Sequence, residues 1–243
     1  MSATAICEGL SPRLVEMRQR IRDGAQKRWR RPGPVDVLTE CERENLSWMR
    51  RTARLTRRMC EAQDVIIGPN ERIVFTRTIE RVPPIGRDGE WRKTVPEGTP
   101  AHTGPINNIC PDWSLLLSQG LLGRRRVARE SRERLKDDPV AIEFLDAAIE
   151  TIDAVLDLSE RYVLEAQRLG RRDIAKVLGR VPTYAPRSFA EALQSIRLCH
   201  SVLWLSGHFH CGLGRLDQYL WPYLQADLES GRLDVTQAEE WLA

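Results

Sequence analysis

Three of the four histidines fall within eleven residues, at His200, His208 and His210, and Cys211 follows the last of them. Two imidazoles and a thiolate are ligands that zinc or iron accepts. Gly207 to Gly214 is too glycine-rich for a helix and is expected to cross the core as strand or loop; on a strand, His208 and His210 would present both rings to one face. No acid or further histidine stands at a recognised ligand spacing, so no metal site is expected. The stronger reading is a polar lining on a buried strand, where the imidazoles orient a bound substrate. A second group runs His102-Thr-Gly-Pro-Ile-Asn-Asn-Ile-Cys110-Pro-Asp112-Trp113. Asp112 stands before an apolar run, the ordinary place of a helix N-cap. A substrate contact is the sharper alternative, and both readings stay open. Gly214 and Arg215 mark a strand-to-helix turn where glycine permits close backbone approach, and Asp217 could pair with Arg215 or cap the next helix.

The elements that must position these groups are mostly helical. Ser11-Pro12 is a cap followed by proline at the first helical position, opening a helix to about Arg31. A second helix is expected from about Asp36 to Ala62. Between Asp64 and Ile79, two β-branched runs flank Gly-Pro-Asn, a hairpin-like pattern. Residues 83–111 are rich in Pro, Gly and Thr and lack periodicity, and a loop of that length is usually functional or mobile. Helix resumes at Asp112 and stops near Gly120 to Gly123. A long amphipathic helix covers about Val140 to Leu169, with Ile142, Leu145, Ala148, Ile149, Ile152, Leu156, Val163 and Ala166 on one stripe. Ser188-Phe-Ala-Glu191 is a capping box that opens an apolar helix to Trp204. The last helices run from Asp217 to about Glu229 and from Asp234 to Trp241. The second ends without a C-cap glycine, as a truncated chain would.

Composition narrows the function. The 243 residues are 42% hydrophobic and 29% charged, which is globular rather than disordered. No apolar run approaches the ~20 residues that span a bilayer, and no secretory signal opens the chain, so the expected location is cytoplasmic and no membrane partner is implied. Six scattered cysteines without a CxxC pair argue against a disulfide scaffold, a zinc ribbon and a radical-SAM cluster. Residues 1–60 are net +7 and the remainder net −4. Because the arginines of 13–31 and 50–58 alternate with apolar residues at helical spacing, they read as solvated helix faces rather than a nucleic-acid surface.

Several blocks together resemble the pyruvate formate-lyase-like domain of glycyl radical enzymes. Gly214-Arg-Leu-Asp-Gln-Tyr-Leu-Trp-Pro-Tyr-Leu, then Gly231-Arg-Leu and Glu239, is similar to the family's "GR-x-DQYLYPYY…D…GRLT…EA". Val181-Pro-x-Tyr-x-Pro-Arg187-Ser-Phe-x-Glu-Ala-Leu-Gln194 matches "VP-x-x-PPR-T-F-x-EALQ", where Arg187 belongs to an architectural entry into a helix. The stretch from His102 to Gly123 is similar to "GH-x-x-PDY-x-x-LL-x-x-GL-x-G". The histidine segment corresponds to "NGHS-x-S-aromatic-GR". His208 takes the family histidine's place if one residue is inserted before Gly214. Without that gap, His210 stands at the family's serine.

The resemblance implies a mostly α chain with a few β-strands (α+β), the N-terminal part of a ten-stranded α/β barrel. Residues 1–99 would be a helical region with a short hairpin. Residues 100–243 would begin the lyase-like domain and end before the thiyl cysteine and the radical glycine. It implies that His102, Asp112, His208 and His210 face the substrate and that no catalytic residue lies in the chain. The family's thiyl cysteine commonly carries a carboxylate two residues on, and no "RV-x-GY" glycyl loop occurs here. The family's formate acetyltransferases, dehydratases and lyases need no cofactor bound directly here, but a glycyl radical installed by a radical-SAM activating enzyme. The implied partners are that activase and a C-terminal half or a second copy of the chain. The competing expectations are a non-catalytic helical interaction protein and a metal-binding helical protein.

Overall fold

In the computed structural model the described residues are 11–90 and 109–242. Nine α-helices lie among them: α1 (Pro12–Arg22), α2 (Val37–Arg43), α3 (Trp48–Ala62), α4 (Trp113–Arg134), α5 (Pro139–Arg168), α6 (Arg172–Leu178), α7 (Phe189–Leu205), α8 (Leu216–Glu229) and α9 (Val235–Leu242). A 3-10 turn, Ala25–Trp29, follows α1. Six helices start where a side-chain oxygen accepts an otherwise orphaned amide: Ser11 from Leu14, Ser47 from Arg50, Asp112 from Leu115, Asp138 from Val140 and Ala141, Ser188 from Glu191, and Asp234 from Gln237. None of the helices found is long and apolar enough to cross a membrane.

The expected α+β composition, with strands opening a ten-stranded barrel, is overturned. Among the described residues there is no strand, only isolated parallel bridges at Arg31–Ile79 and Ile109–Cys211. The physical reason is clearest at the expected hairpin. Residues 74–78 carry no regular element, and side chains rather than a second strand satisfy most of their backbone groups. Gln63 accepts from Thr78 N at 3.0 Å and donates to Thr76 O at 2.7 Å. Gln194 treats Val74 in the same way, and Arg197 donates to Phe75 O at 2.8 Å. Both glutamines are fully buried, where an unpaired backbone group would be costly.

Three helix boundaries also differ from expectation. The first helix, expected to about Arg31, ends at Arg22, and Gly24 (φ 69°) leads into the 3-10 turn. The helix expected over 36–62 is two helices, because Asn45 adopts φ +48° and Ser47 restarts the chain. Helix α4 runs past Gly120, which breaks its geometry locally (φ 66°, ψ 172°). The amides released by that break are not lost: Leu121 N donates to Pro182 O at 2.8 Å and Leu122 N to Thr183 O at 3.0 Å. A Cβ on Gly120 would lie 2.5 Å from the Tyr184 carbonyl carbon, so the 181–184 segment docks where only glycine fits.

Two apolar clusters fill the interior. The larger joins α2, α3, α5, α6 and α7 through Val37, Met59, Leu158, Tyr162, Leu178 and Leu205, among others. Each large side chain buried there contributes ~1.5–3 kcal/mol. The deepest face of α5 is Ala147, Ala154, Val155, Leu158, Tyr162 and Ala166, while the rest of the expected stripe flanks it half-buried. The smaller cluster joins Trp113, Leu116 and Leu117 of α4 to Phe189, Ala192, Ile196, Leu220 and Ala238.

The arginines of α3 are not a solvated face. Arg54 contacts Glu40, Glu44 and Glu150, and Arg58 contacts Glu40 and Glu61. The Arg58 guanidinium, with Arg54 beside it, pulls the Glu40 carboxyl down to about 2. Charges on α2, α3 and α5 thus interlock above the apolar seam.

Candidate functional site

The chain leaves α7 through Ser206 and Gly207, and Gly207 takes φ +93°. His208–His210 therefore forms a turn instead of the expected strand, and strand periodicity does not set the two rings. His208 is half-buried and its Nδ1 is buried with no hydrogen-bond partner among the described residues. His210 is exposed. The turn is stapled at its end: Cys211 bridges to Ile109, and Gly212 N donates to Ile109 O at 2.8 Å. This brings the backbone preceding Asp112 beside the backbone following His210, although a hundred residues separate them in sequence. His102 lies outside the described residues.

Two residues that sequence reasoning did not assign to the site hold the turn. His200 Nε2 lies 3.0 Å from Cys211 O, and Trp113 Nε1 donates to Gly212 O at 3.1 Å. Their rings meet edge-on at 5.9 Å, and Trp204 and Phe209 continue the aromatic row. The available signal was the i, i+4 spacing of His200 and Trp204 on one helix face.

Asp112 is exposed, and its carboxylate accepts from Leu115 N at 3.0 Å and from the Ser114 hydroxyl. The Ser114 hydrogen bond is the main cause of its lowered pKa. It is an N-cap, whatever else it touches. Cys110 has this carboxylate two residues on, the spacing that the resemblance gives a thiyl cysteine. Here the carboxylate is already committed to opening α4. Cys211 is a different thiol: burial pushes its pKa up, and it donates to His208 O at 3.3 Å. Among the described residues, no three His, Cys, Asp or Glu side chains gather to hold a metal.

Gly214 has φ +57°, and a Cβ there would lie 2.7 Å from Cys110 Sγ, so the residue serves both conformation and close approach. Arg215 and Asp217 form an exposed two-bonded pair at 3.0 and 2.7 Å. Such a pair contributes little to stability. Arg187 is exposed, and its backbone amide donates to Glu191 Oε2 at 2.6 Å, so the Glu191 carboxylate reaches back one residue past the Ser188 cap at the start of α7.

Residues 90–243 match the family model described as "Pyruvate formate lyase-like". The chain is 30% identical over 152 residues to a protein described as probable dehydratase YbiW of Escherichia coli K12, covering 56% of this chain and 19% of that one. It superposes on the B12-independent glycerol dehydratase of Clostridium butyricum with a TM-score of 0.71 and 17% identity, covering 96% of this chain and 38% of that one. A glycyl radical enzyme from Archaeoglobus fulgidus gives 0.69 at 19% identity, covering 90% and 39%. The chain thus spans about a fifth of the curated relative's length and less than two-fifths of either solved structure. With more than half its residues under one family model, the chain belongs to the pyruvate formate lyase-like family.

Proposed function

We propose that this chain is the N-terminal helical part of a glycyl radical dehydratase or lyase, that it supplies one wall of the substrate cavity, and that it does not turn over substrate alone. The observation carrying this reading is the unpartnered, buried Nδ1 of His208 on a turn stapled to the segment of Asp112. A buried imidazole nitrogen without a partner is an incomplete site, and a substrate hydroxyl or carboxylate would complete it. His102 and His210 are the further substrate-facing candidates, with Arg187, Gly214, Arg215 and Asp217 shaping the frame. The radical chemistry would come from a glycyl radical installed by a radical-SAM activase and from a thiyl cysteine outside this chain. A cytoplasmic location suits such a partner set.

Two measurements test the proposal. The coding sequence after the Ala243 codon should continue, in frame or in an adjacent frame, into a cysteine loop and a glycyl loop. Its absence would favour the non-catalytic interaction protein. The isolated chain, treated anaerobically with activase and S-adenosylmethionine, should show no protein radical doublet in electron paramagnetic resonance. A doublet would overturn the assignment.

A further inference from the structure

Three arginines that form no ion pair among the described residues line one cavity of about 340 Å³ between α1, the 3-10 turn, the 68–77 segment and α7. Arg197 enters from α7 and donates to Phe75 O at 2.8 Å. Arg77 donates to Ile79 O at 2.7 Å and Glu80 O at 3.2 Å. Arg30 makes no side-chain hydrogen bond or ion pair among the described residues, and its charge acts on Arg77. Arg20 adds a fourth guanidinium, 4.0 Å from Glu16. Glu71 is the one acid among the described wall residues; its charge acts on Arg197, and its two oxygens accept from Gly68 N and Thr76 Oγ1 at 2.9 and 3.1 Å, which leaves one carboxylate against four guanidiniums.

Like charges gathered against a partly apolar wall repel one another and lose hydration, a cost that a bound anion offsets. Burial lowers the pKa of both Arg77 and Arg197. Arg197 nevertheless keeps an exposed surface. The two facts agree if its guanidinium faces a hollow rather than bulk water. The remaining wall is flat and apolar, with Trp29 and Phe75. The amide oxygen of Gln26, also in the wall, is buried without a donor. The volume is that of a small-molecule site, near the ~300 Å³ lower end of such pockets.

We propose that this cavity binds a small organic anion, a carboxylate or phosphate monoester carried on a flat apolar body. None of His208, Phe209 and His210 lines it, although the Arg77 guanidinium lies 5.6 Å over the Phe209 ring. Guanidiniums grip the head group by charge-assisted hydrogen bonds, and the aromatic wall receives the body.

Calorimetric titration of the full chain with 4-hydroxybenzoate, phenyl phosphate and neutral methyl 4-hydroxybenzoate tests this. One of the two anions should bind saturably at one per chain, and the tighter one identifies the head group. The ester should bind about tenfold more weakly or worse. Arg30→Gln, at an exposed position without a side-chain hydrogen bond or ion pair among the described residues, should weaken anion binding about tenfold with an unchanged circular dichroism spectrum, and Arg197→Lys should do the same. Failure of both anions to saturate, equal affinity for the ester, or unchanged affinity in both variants would overturn the proposal.

Discussion

The side-chain amide of Gln194 clasps both backbone groups of Val74, accepting from its N–H at 2.8 Å and donating to its carbonyl at 3.1 Å. The residues are 120 positions apart, and both are fully buried. Gln194→Leu keeps the bulk but strands two buried backbone groups, at about 1–3 kcal/mol each. Urea unfolding of this variant should show a loss of ~2–4 kcal/mol. A loss below about 1 kcal/mol would mean that water or a shifted neighbour replaces the amide.

Glu40 should make stability depend on acid. Its carboxyl is depressed from 4.5 to about 2, first by the Arg58 hydrogen bond. A depressed carboxylate stabilises the fold above its unfolded value, and that contribution is lost as pH falls from about 5 towards 2. Glu40→Gln should cost about 1–2 kcal/mol at pH 7, allowing for water on the open side of the cluster. The gap between wild type and variant should narrow steadily in unfolding curves taken from pH 5 to pH 2.5. A gap that stays constant would remove Glu40 from the network.

Two glycines at similar φ should respond differently to alanine. Gly120 (φ 66°) faces the Tyr184 backbone, whereas Gly170 (φ 71°) has open space. Gly170→Ala should cost about 1 kcal/mol for the left-handed conformation alone. Gly120→Ala should cost ~3 kcal/mol or more, because the 181–184 segment must move off α4. Equal melting temperatures for the two variants would contradict the docking described here.

Asp112 separates capping from charge. Asparagine caps as well as aspartate, so Asp112→Asn should leave the melting temperature unchanged, while Asp112→Ala should lower it by about 2–4 °C. If Asp112→Asn also melts early, the charge itself matters beyond the two hydrogen bonds to Ser114 and Leu115.

What the sequence made legible was local. The caps at Ser11, Ser188 and Asp234 were readable because a cap and its amide lie three residues apart. The span of α5 was readable because thirty residues of periodicity outweigh uncertainty at either end. The expected hairpin failed because the partners of residues 74–78 are mostly the side chains of Gln63, Gln194 and Arg197, two of them far along the chain. The expected solvated arginines failed likewise: the acids that engage Arg54 include Glu150, ninety-six residues away. The histidines are plain in the sequence, but their segment reads equally as strand or loop, and it is Gly207 that turns the chain. His200 was noticed only as a neighbour, since nothing local reveals that its ring reaches the Cys211 carbonyl.

The break at Gly120 turns α4 from one rod into two. The half before it packs in the small cluster with α7, α8 and α9. Helix α7 runs unbroken from that cluster into the large one, where Leu198, Val202 and Leu205 are buried. The histidine turn, held by Trp113 and by His200 of α7, is therefore registered to both cores through α7, and α4 changes direction at Gly120 without bearing that register.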